Sequence, residues 1–250
     1  MKLVLCGACG RMGKMVTELG LERGYDIVCG VDVFPSPMPY PIYRSFNEVT
    51  EAADVVIDFS SPQNLEEKLA FCKSRVIGIV LGTTGYSEAD EALICEYTAH
   101  IPVFKTGNLS LGVNLLQLLA RKAAEVLGEN FDAEIIERHH NQKKDAPSGT
   151  ALMLAKSVSE GFGGDRESVY GRQGILGARK KSEIGIHAVR GGNIVGEHEV
   201  MFAGEDEIVT LSHSARSRKV FASGALKAAT WLKEKKAGLY DMNDLLKGIV

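Results

Sequence analysis

Short apolar runs alternate with amphipathic stretches through the first hundred residues. Lys2 to Cys6 is an apolar run that predicts a buried parallel strand. Arg11 to Arg23 has helical spacing, with Met12, Met15, Val16 and Leu19 on one face and Gly24 as the stop. Tyr25 to Asp32 reads as a second strand, so the first 32 residues form one βαβ unit. Val55 to Phe59, Val76 to Leu81 and Pro102 to Lys105 read as further strands, with helices at Asn64 to Lys73 and Glu88 to Thr98. Pro35 to Pro41 holds four of the seven prolines and reads as an irregular surface loop. Strands that alternate with helices predict an α/β fold with a doubly wound parallel sheet.

The pattern changes after Asn108. Leu111 to Leu127 predicts a long amphipathic helix, and Phe131 to Glu137 alternates at period two. Arg138 to Pro147 reads as a polar loop before a helix from Gly149 to about Glu160. Ile184 to Val189, Ile194 to Phe202 and Glu207 to Leu211 alternate as strands of an antiparallel or mixed sheet do, and Val220 to Lys235 is helical again. These readings predict a dinucleotide-binding domain of residues 1–108 plus 217–250. Residues 109–216 form an α+β substrate-binding and oligomerisation domain.

Composition narrows the function classes. The chain has 250 residues, 45% hydrophobic and 24% charged, as ordinary globular proteins are. A net charge of −3 supplies no overall pull towards nucleic acid or an anionic membrane. No apolar stretch approaches a membrane-spanning length, and the Gly-rich start is unlike a signal peptide. A cytoplasmic protein is expected, with neither nucleic acid nor membrane as partner. Five cysteines argue against a secreted disulfide framework.

Two segments carry candidate chemistry. Gly7-Ala8-Cys9-Gly10-Arg11-Met12-Gly13 lies between a strand and a helix, where small residues admit a pyrophosphate to the helix N-terminus. Asp32 ends the next strand, the place of a carboxylate that accepts bonds from a ribose. The competing reading is a tight turn with no ligand. Cys6 and Cys9 form a Cys-x-x-Cys, but no second pair has matching spacing, so no metal is expected. Gly82-Thr83-Thr84-Gly85 and Thr106-Gly107-Asn108 follow parallel strands and read either as ligand loops or as plain turns.

The second segment is Glu137 to Ala151. Two adjacent imidazoles, two lysines and an acid precede Ser148, which caps a helix. Gly149 and Thr150 offer backbone N–H groups to an anion, Lys143 adds a charge, and a histidine moves a proton near neutral pH. A solvated loop with a helix cap is the alternative.

Glu-x-His-His-x-x-Lys-x-Asp-Ala-Pro-Ser-Gly-Thr-Ala resembles the signature of the 4-hydroxy-tetrahydrodipicolinate reductase (dihydrodipicolinate reductase) family. Gly7 to Gly13, Asp58 to Ser60, Gly82 to Gly85, Asn108 to Asn114, Val189 to His198 and Arg218 to Leu232 also resemble it, so the likeness covers nearly the whole chain. Cys9 departs from the family by standing at a variable position that is often small. The resemblance implies a Rossmann-like domain and a mixed-sheet domain. It implies reduction of a cyclic dicarboxylate on the diaminopimelate route to lysine, in a homotetramer joined through the mixed sheets. His139 would be the general acid/base and Lys143 a proton donor facing the substrate. His140, Lys143, Ser148, Gly149 and Thr150 would hold the dicarboxylate. Gly7, Ala8, Cys9, Gly10, Arg11, Met12, Asp32, Gly82, Thr83, Thr84, Thr106, Gly107, Asn108 and Leu109 would line the cofactor. Asp32 followed by Val33, Phe34, Pro35 and Ser36 lacks a local cation for a 2′-phosphate, so NADH is expected to be preferred over NADPH. Arg11, or Arg44 from beyond the proline loop, is the cation that could turn to the phosphate, so both cofactors are expected to be used. Another imino-acid dehydrogenase and a nucleotide-sensing regulator are the rival readings.

Overall fold

The computed structural model describes residues 1–247, which divide into two compact units. The first comprises residues 1–111 and the chain from Arg218 onward, and the second comprises Gly112–Ser217.

In the first unit, β1 (Lys2–Cys6), α1 (Arg11–Glu22), β2 (Asp26–Val31) and β3 (Ile42–Tyr43) open the chain. They are followed by β4 (Val55–Asp58), α2 (Leu65–Arg75), β5 (Gly78–Leu81), α3 (Glu88–Tyr97) and β6 (Pro102–Lys105). In the second unit, α4 (Leu111–Leu127, its first residue in the first unit), β7 (Asp132–His139) and α5 (Gly149–Gly161) precede four strands. These are β8 (Glu167–Tyr170), β9 (Glu183–Arg190), β10 (Gly196–Ala203) and β11 (Ile208–Ala215). The chain then returns to the first unit with α6 (Lys219–Leu232), β12 (Gly238–Tyr240) and α7 (Met242–Lys247).

The first sheet is entirely parallel, in the order β12-β6-β5-β4-β1-β2-β3. Its strands are buried on both faces, which explains their unbroken apolar sequences. One face packs Val16 and Leu19 of α1 with Ala225, Leu226 and Ala229 of α6. The other packs Leu65, Leu69 and Cys72 of α2 with Ile94 of α3. Strand order reverses between β1 and β4, so their carboxyl ends flank the crevice where such sheets take ligands.

The second sheet is mixed, in the order β11-β10-β7-β9-β8. β7 runs parallel to β9 and antiparallel to β10. Leu116, Ala120 and Ala124 of α4 and Leu154, Ala155 and Val158 of α5 pack on Ala133, Ile135, Val200 and Phe202. Along β7 the buried positions are Ala133, Ile135, Glu137 and His139, while Glu134, Ile136 and Arg138 lie on the opposite, less buried face.

Element bounds follow the sequence pattern with two physical corrections. Arg138 and His139 are strand, not loop, because backbone pairing to β10 and β9 extends β7 past the apolar residues that signal it. Val76 caps α2 with φ at +54° instead of starting β5. The strands β3, β8 and β12, of two to four residues, are too short to show a period.

Candidate active site

The first unit carries a crevice at the carboxyl ends of its strands. Gly7 leaves β1 with φ at +74°, a conformation that favours glycine. Its N–H donates to the Val31 carbonyl at 2.9 Å, tying the ends of β1 and β2. A Cβ on Gly7 would stand 2.6 Å from the Phe59 carbonyl oxygen, and one on Gly13 would collide with the carbonyls of Gly7 and Ala8. The three-glycine spacing thus brings the start of α1 close against the turn.

Asp32 follows β2 and is held by two backbone donors. The Cys9 N–H donates to Oδ2 and the Phe34 N–H to Oδ1, both at 2.9 Å. Gly7, Gly10, Asp32, Phe34, Arg44 and Phe59 belong to the lining of a cavity of about 530 Å³. A second cavity, of about 310 Å³, is lined by Met12, Phe59, Gly82, Thr106, Gly107, Asn108, Leu109, Arg218 and Phe221. Phe59 faces both, so the two form neighbouring halves of one crevice. A dinucleotide fits this donor set: a glycine cradle at a helix N-terminus, a carboxylate beyond the next strand, and a second compartment further along.

Not every expected residue lines it. Ala8 is fully buried in the core. Arg11 and Thr84 are exposed and line neither cavity. The Thr83 hydroxyl donates to the buried Asp58 at 3.1 Å and shapes the floor. Cys6 is buried and Cys9 is half-buried, both as free thiols. Burial pushes the Cys6 thiol far up, so it is an inert core group. Among the described residues no cluster of three or more His, Cys, Asp or Glu is placed to hold a metal. No helix among them is long and apolar enough to cross a membrane.

The second unit gathers polar side chains at one end of its sheet. Glu137 and His139 share the buried face of β7, and the register sets Glu137 opposite His198 and His139 opposite Arg190. His139 Nδ1 lies 2.6 Å from Glu137 Oε2. Arg190 donates one N–H to each oxygen of Glu137, both at 2.8 Å. The Ser148 N–H donates to Glu137 Oε1 at 2.9 Å, and the Ser148 hydroxyl accepts from the Ala151 N–H as the cap of α5. His198 Nε2 lies 3.1 Å from the same hydroxyl. The helix start is thereby tied to the strand that carries His139.

The electrostatics follow from this packing. Burial acts to raise the Glu137 carboxyl, but the Arg190 fork, His139 and the Ser148 N–H outweigh it and hold it below the usual carboxylate range. For His139, burial lowers the imidazole more than Glu137 raises it, and the charges of Lys143 and Arg190 lower it further. Burial, with a contribution from His139, pushes His198 down to about 4. Lys143 is half-buried and pairs with Asp145 at 2.9 Å. His140 and Thr150 are half-buried, and Gly149 is exposed with open space where a Cβ would point.

Two family models match the chain. Residues 1–109 match the family model described as dihydrodipicolinate reductase, N-terminus, and residues 112–246 match the model for its C-terminus. The chain belongs to the dihydrodipicolinate reductase family. A 4-hydroxy-tetrahydrodipicolinate reductase from Caldanaerobacter subterraneus is 50% identical over 98% of each chain. One from Clostridium novyi is 47% identical over 98% of each chain. The solved structure of a dipicolinate-bound dihydrodipicolinate reductase from Paenisporosarcina sp. TG-14 superposes with a TM-score of 0.81 at 25% identity, over 97% of this chain and 98% of the other. The family's fold, a Rossmann-like parallel sheet with a second mixed sheet, is the fold described above.

Within this dihydrodipicolinate reductase frame, sequence reasoning gave no role to Arg190, His198 or the Asp58–Lys68 pair. Parity would have found the first two. Arg190 shares the phase of the buried Ile184 and Ile186, and His198 that of Val200 and Phe202. A polar residue on the apolar phase of a strand is a buried polar group that needs a partner. Of the two candidate cations for a 2′-phosphate, Arg44 shares the cavity with Asp32 and Arg11 does not line it.

Proposed function

We propose that this chain catalyses the NAD(P)H-dependent reduction of 4-hydroxy-tetrahydrodipicolinate to tetrahydrodipicolinate in the diaminopimelate route to lysine. The observation that carries the reading is the buried Glu137–His139 pair tied through Ser148 to the start of α5. It puts a proton-handling imidazole next to a helix start that seats an anion.

When bound, the reduced nicotinamide supplies a hydride, and the remaining work is the protein's. Gly7, Gly10, Asp32, Arg44, Met12, Gly82 and Thr106 to Leu109 hold the cofactor. The Gly149 and Thr150 N–H groups, with the α5 dipole, neutralise one carboxylate of the substrate. His140 and Lys143 serve the dicarboxylate as well, Lys143 by exchanging Asp145 for it. Loss of water (the C4 hydroxyl with a proton from C5) creates the conjugated C=C–C=N system. Hydride addition at C4 then moves the electron pair towards the ring nitrogen, and His139 or Lys143 delivers the proton that completes the reduction.

Three finer points belong to this proposal. NADH is preferred, because Asp32 stands where a 2′-phosphate would lie, while Arg44 in the same cavity admits NADPH. The enzyme is a cytoplasmic homotetramer joined through the face of the mixed sheet that carries Ile136, Met201 and Thr210, which no helix of its own unit covers. The domains of catalysis are residues 1–108 with 217–250, and 109–216.

Enzymatically generated 4-hydroxy-tetrahydrodipicolinate, offered with NADH and followed by the loss of nicotinamide absorbance, tests the reading. Turnover is expected. Saturable NADH binding with no oxidation of it would replace the reductase with a nucleotide-sensing protein.

A further inference from the structure

Glu137 is fully buried on the inward face of β7 and makes four hydrogen bonds. Two come from Arg190, one from the Ser148 N–H and one involves His139 Nδ1. An ionised carboxylate has about four acceptor sites and no proton to give. Each oxygen is therefore saturated, and the hydrogen on the His139 contact comes from the imidazole. Neutral His139 is the Nδ1–H tautomer, with its lone pair on Nε2.

The surroundings reinforce this. Gly196 of β10 faces Nε2, and a Cβ there would stand 3.1 Å from it, so the glycine keeps that nitrogen uncrowded. The His198 ring meets His139 edge-on, with centroids 5.2 Å apart. Its Nε2 is turned to the Ser148 hydroxyl, and no hydrogen bond joins the two rings. Arg190 matters because a carboxyl buried without a cation takes up a proton. A protonated Glu137 could donate to Nδ1 and would reverse the tautomer.

We infer that Glu137, held ionised and immobile by Arg190, is the positioning residue of His139 and reserves Nε2 for proton exchange with the substrate. The inference rests on the reading of His139 as the group that handles the reaction's proton. Glu137 does not touch the reacting atoms. It fixes which nitrogen does, and in which plane the ring lies, through a carboxylate–imidazole contact of the kind that orients a catalytic base.

Two measurements test it. In the wild-type enzyme, two-bond ¹H–¹⁵N correlation spectra near neutral pH report the tautomer directly, with His139 assigned by the signals lost in His139→Gln. A protonated Nδ1 and an unprotonated Nε2 are expected; the opposite tautomer overturns the inference without any change at Glu137. In kinetics, Glu137→Gln is expected to lower kcat about 10²–10⁴-fold while the NADH Kd changes by less than about twofold. In a His139→Gln background the same change should cost almost nothing more, because the two residues act as one unit. Wild-type kcat in Glu137→Gln beside a crippled His139→Gln, or a fully multiplicative loss in the double variant, overturns the positioning role and leaves the assignment of His139 standing. Wild-type turnover in His139→Gln overturns both.

Discussion

Lys68 Nζ lies 3.2 Å from Asp58 Oδ2, in an ion pair whose side chains are 3% and 0% exposed. The pair closes the floor beneath the Phe59-Ser60-Ser61 segment. Asp58 Oδ1 accepts from the Ser60 N–H and hydroxyl, and Lys68 donates to the Ser60 hydroxyl at 2.8 Å and the Ser61 carbonyl at 2.6 Å. Ser60 and Ser61 line the larger cavity, so α2 and β4 hold a wall of the nucleotide crevice through one desolvated charge pair. Replacing Lys68 by Met leaves Asp58 buried and uncompensated, at a cost of roughly 3–5 kcal/mol. Urea unfolding should show that loss, and the double variant Asp58→Asn/Lys68→Met should recover part of it. Equal stabilities of wild type and Lys68→Met would show that water or a proton compensates Asp58 instead.

His139→Gln and Lys143→Ala should each lower turnover by about 10²–10⁴-fold, the usual contribution of a general acid or base. NADH affinity should stay nearly unchanged, since both residues belong to the second unit and the Gly-rich turn to the first. Steady-state kinetics with fluorescence titration of NADH separate the two effects. Wild-type turnover in both variants would remove the catalytic assignment.

Pyridine-2,6-dicarboxylate should compete with the substrate and bind more tightly once NADH is present. Its carboxylates would match the anion seat proposed at Gly149 and Thr150 and the charge of Lys143. Thr150→Val keeps the volume and loses the hydroxyl, so its inhibition constant should rise. An inhibition constant equal to that of the wild type would take Thr150 out of the seat.

Cofactor choice tests the balance between Asp32 and Arg44. The kcat/KM ratio should favour NADH, and Arg44→Ala should deepen that preference by removing the cation that can meet a 2′-phosphate. Measurement at two salt concentrations is informative, because the phosphate contact is screened and the ribose contact is not. A wild-type preference for NADPH would mean that the Arg44 charge outweighs that of Asp32.

Stability should fall in mild acid through His198. Its folded pKa of about 4 lies below the unfolded value near 6.5, so the unfolded chain binds the proton more readily. The stabilisation is complete above about 6.5 and is lost as pH falls towards about 4, by an amount on the order of 3 kcal/mol. His139 and His213, also held below their ordinary values by burial, act in the same direction. Unfolding free energies of wild type and His198→Gln between pH 6.5 and 4 should have different slopes. Parallel curves would show that His198 is protonated at little cost in the folded chain.

Much of this was legible in the chain itself. The apolar runs of β1, β4, β5 and β6 announced a parallel sheet because both faces are covered, and the glycine turn with Asp32 located the crevice. The residues of the second site were legible as chemistry, since His139, Lys143 and the Ser148 cap lie within ten positions of one another. Its support was not. Arg190 reaches Glu137, and His198 reaches Ser148, only through strand register between distant segments; parity marks both as buried polar groups, but local spacing does not encode their partners. Lys68 looked like an ordinary charged helix residue until α2 packed it onto Asp58.

The second unit is one continuous segment, whereas the first is completed only by α6, β12 and α7. Ala222, Ala225, Leu226, Ala228, Ala229 and Leu232 of α6 are all fully buried in the first sheet's core. During synthesis, β1 to β6 therefore leave the ribosome with one face of their sheet covered only by α1. They wait for about a hundred residues of another fold to emerge before the helix that completes its cover arrives. The second unit can finish folding while the first is still unfinished, so a chain stalled near Arg216 would combine a folded mixed sheet with a parallel sheet whose apolar face lacks α6.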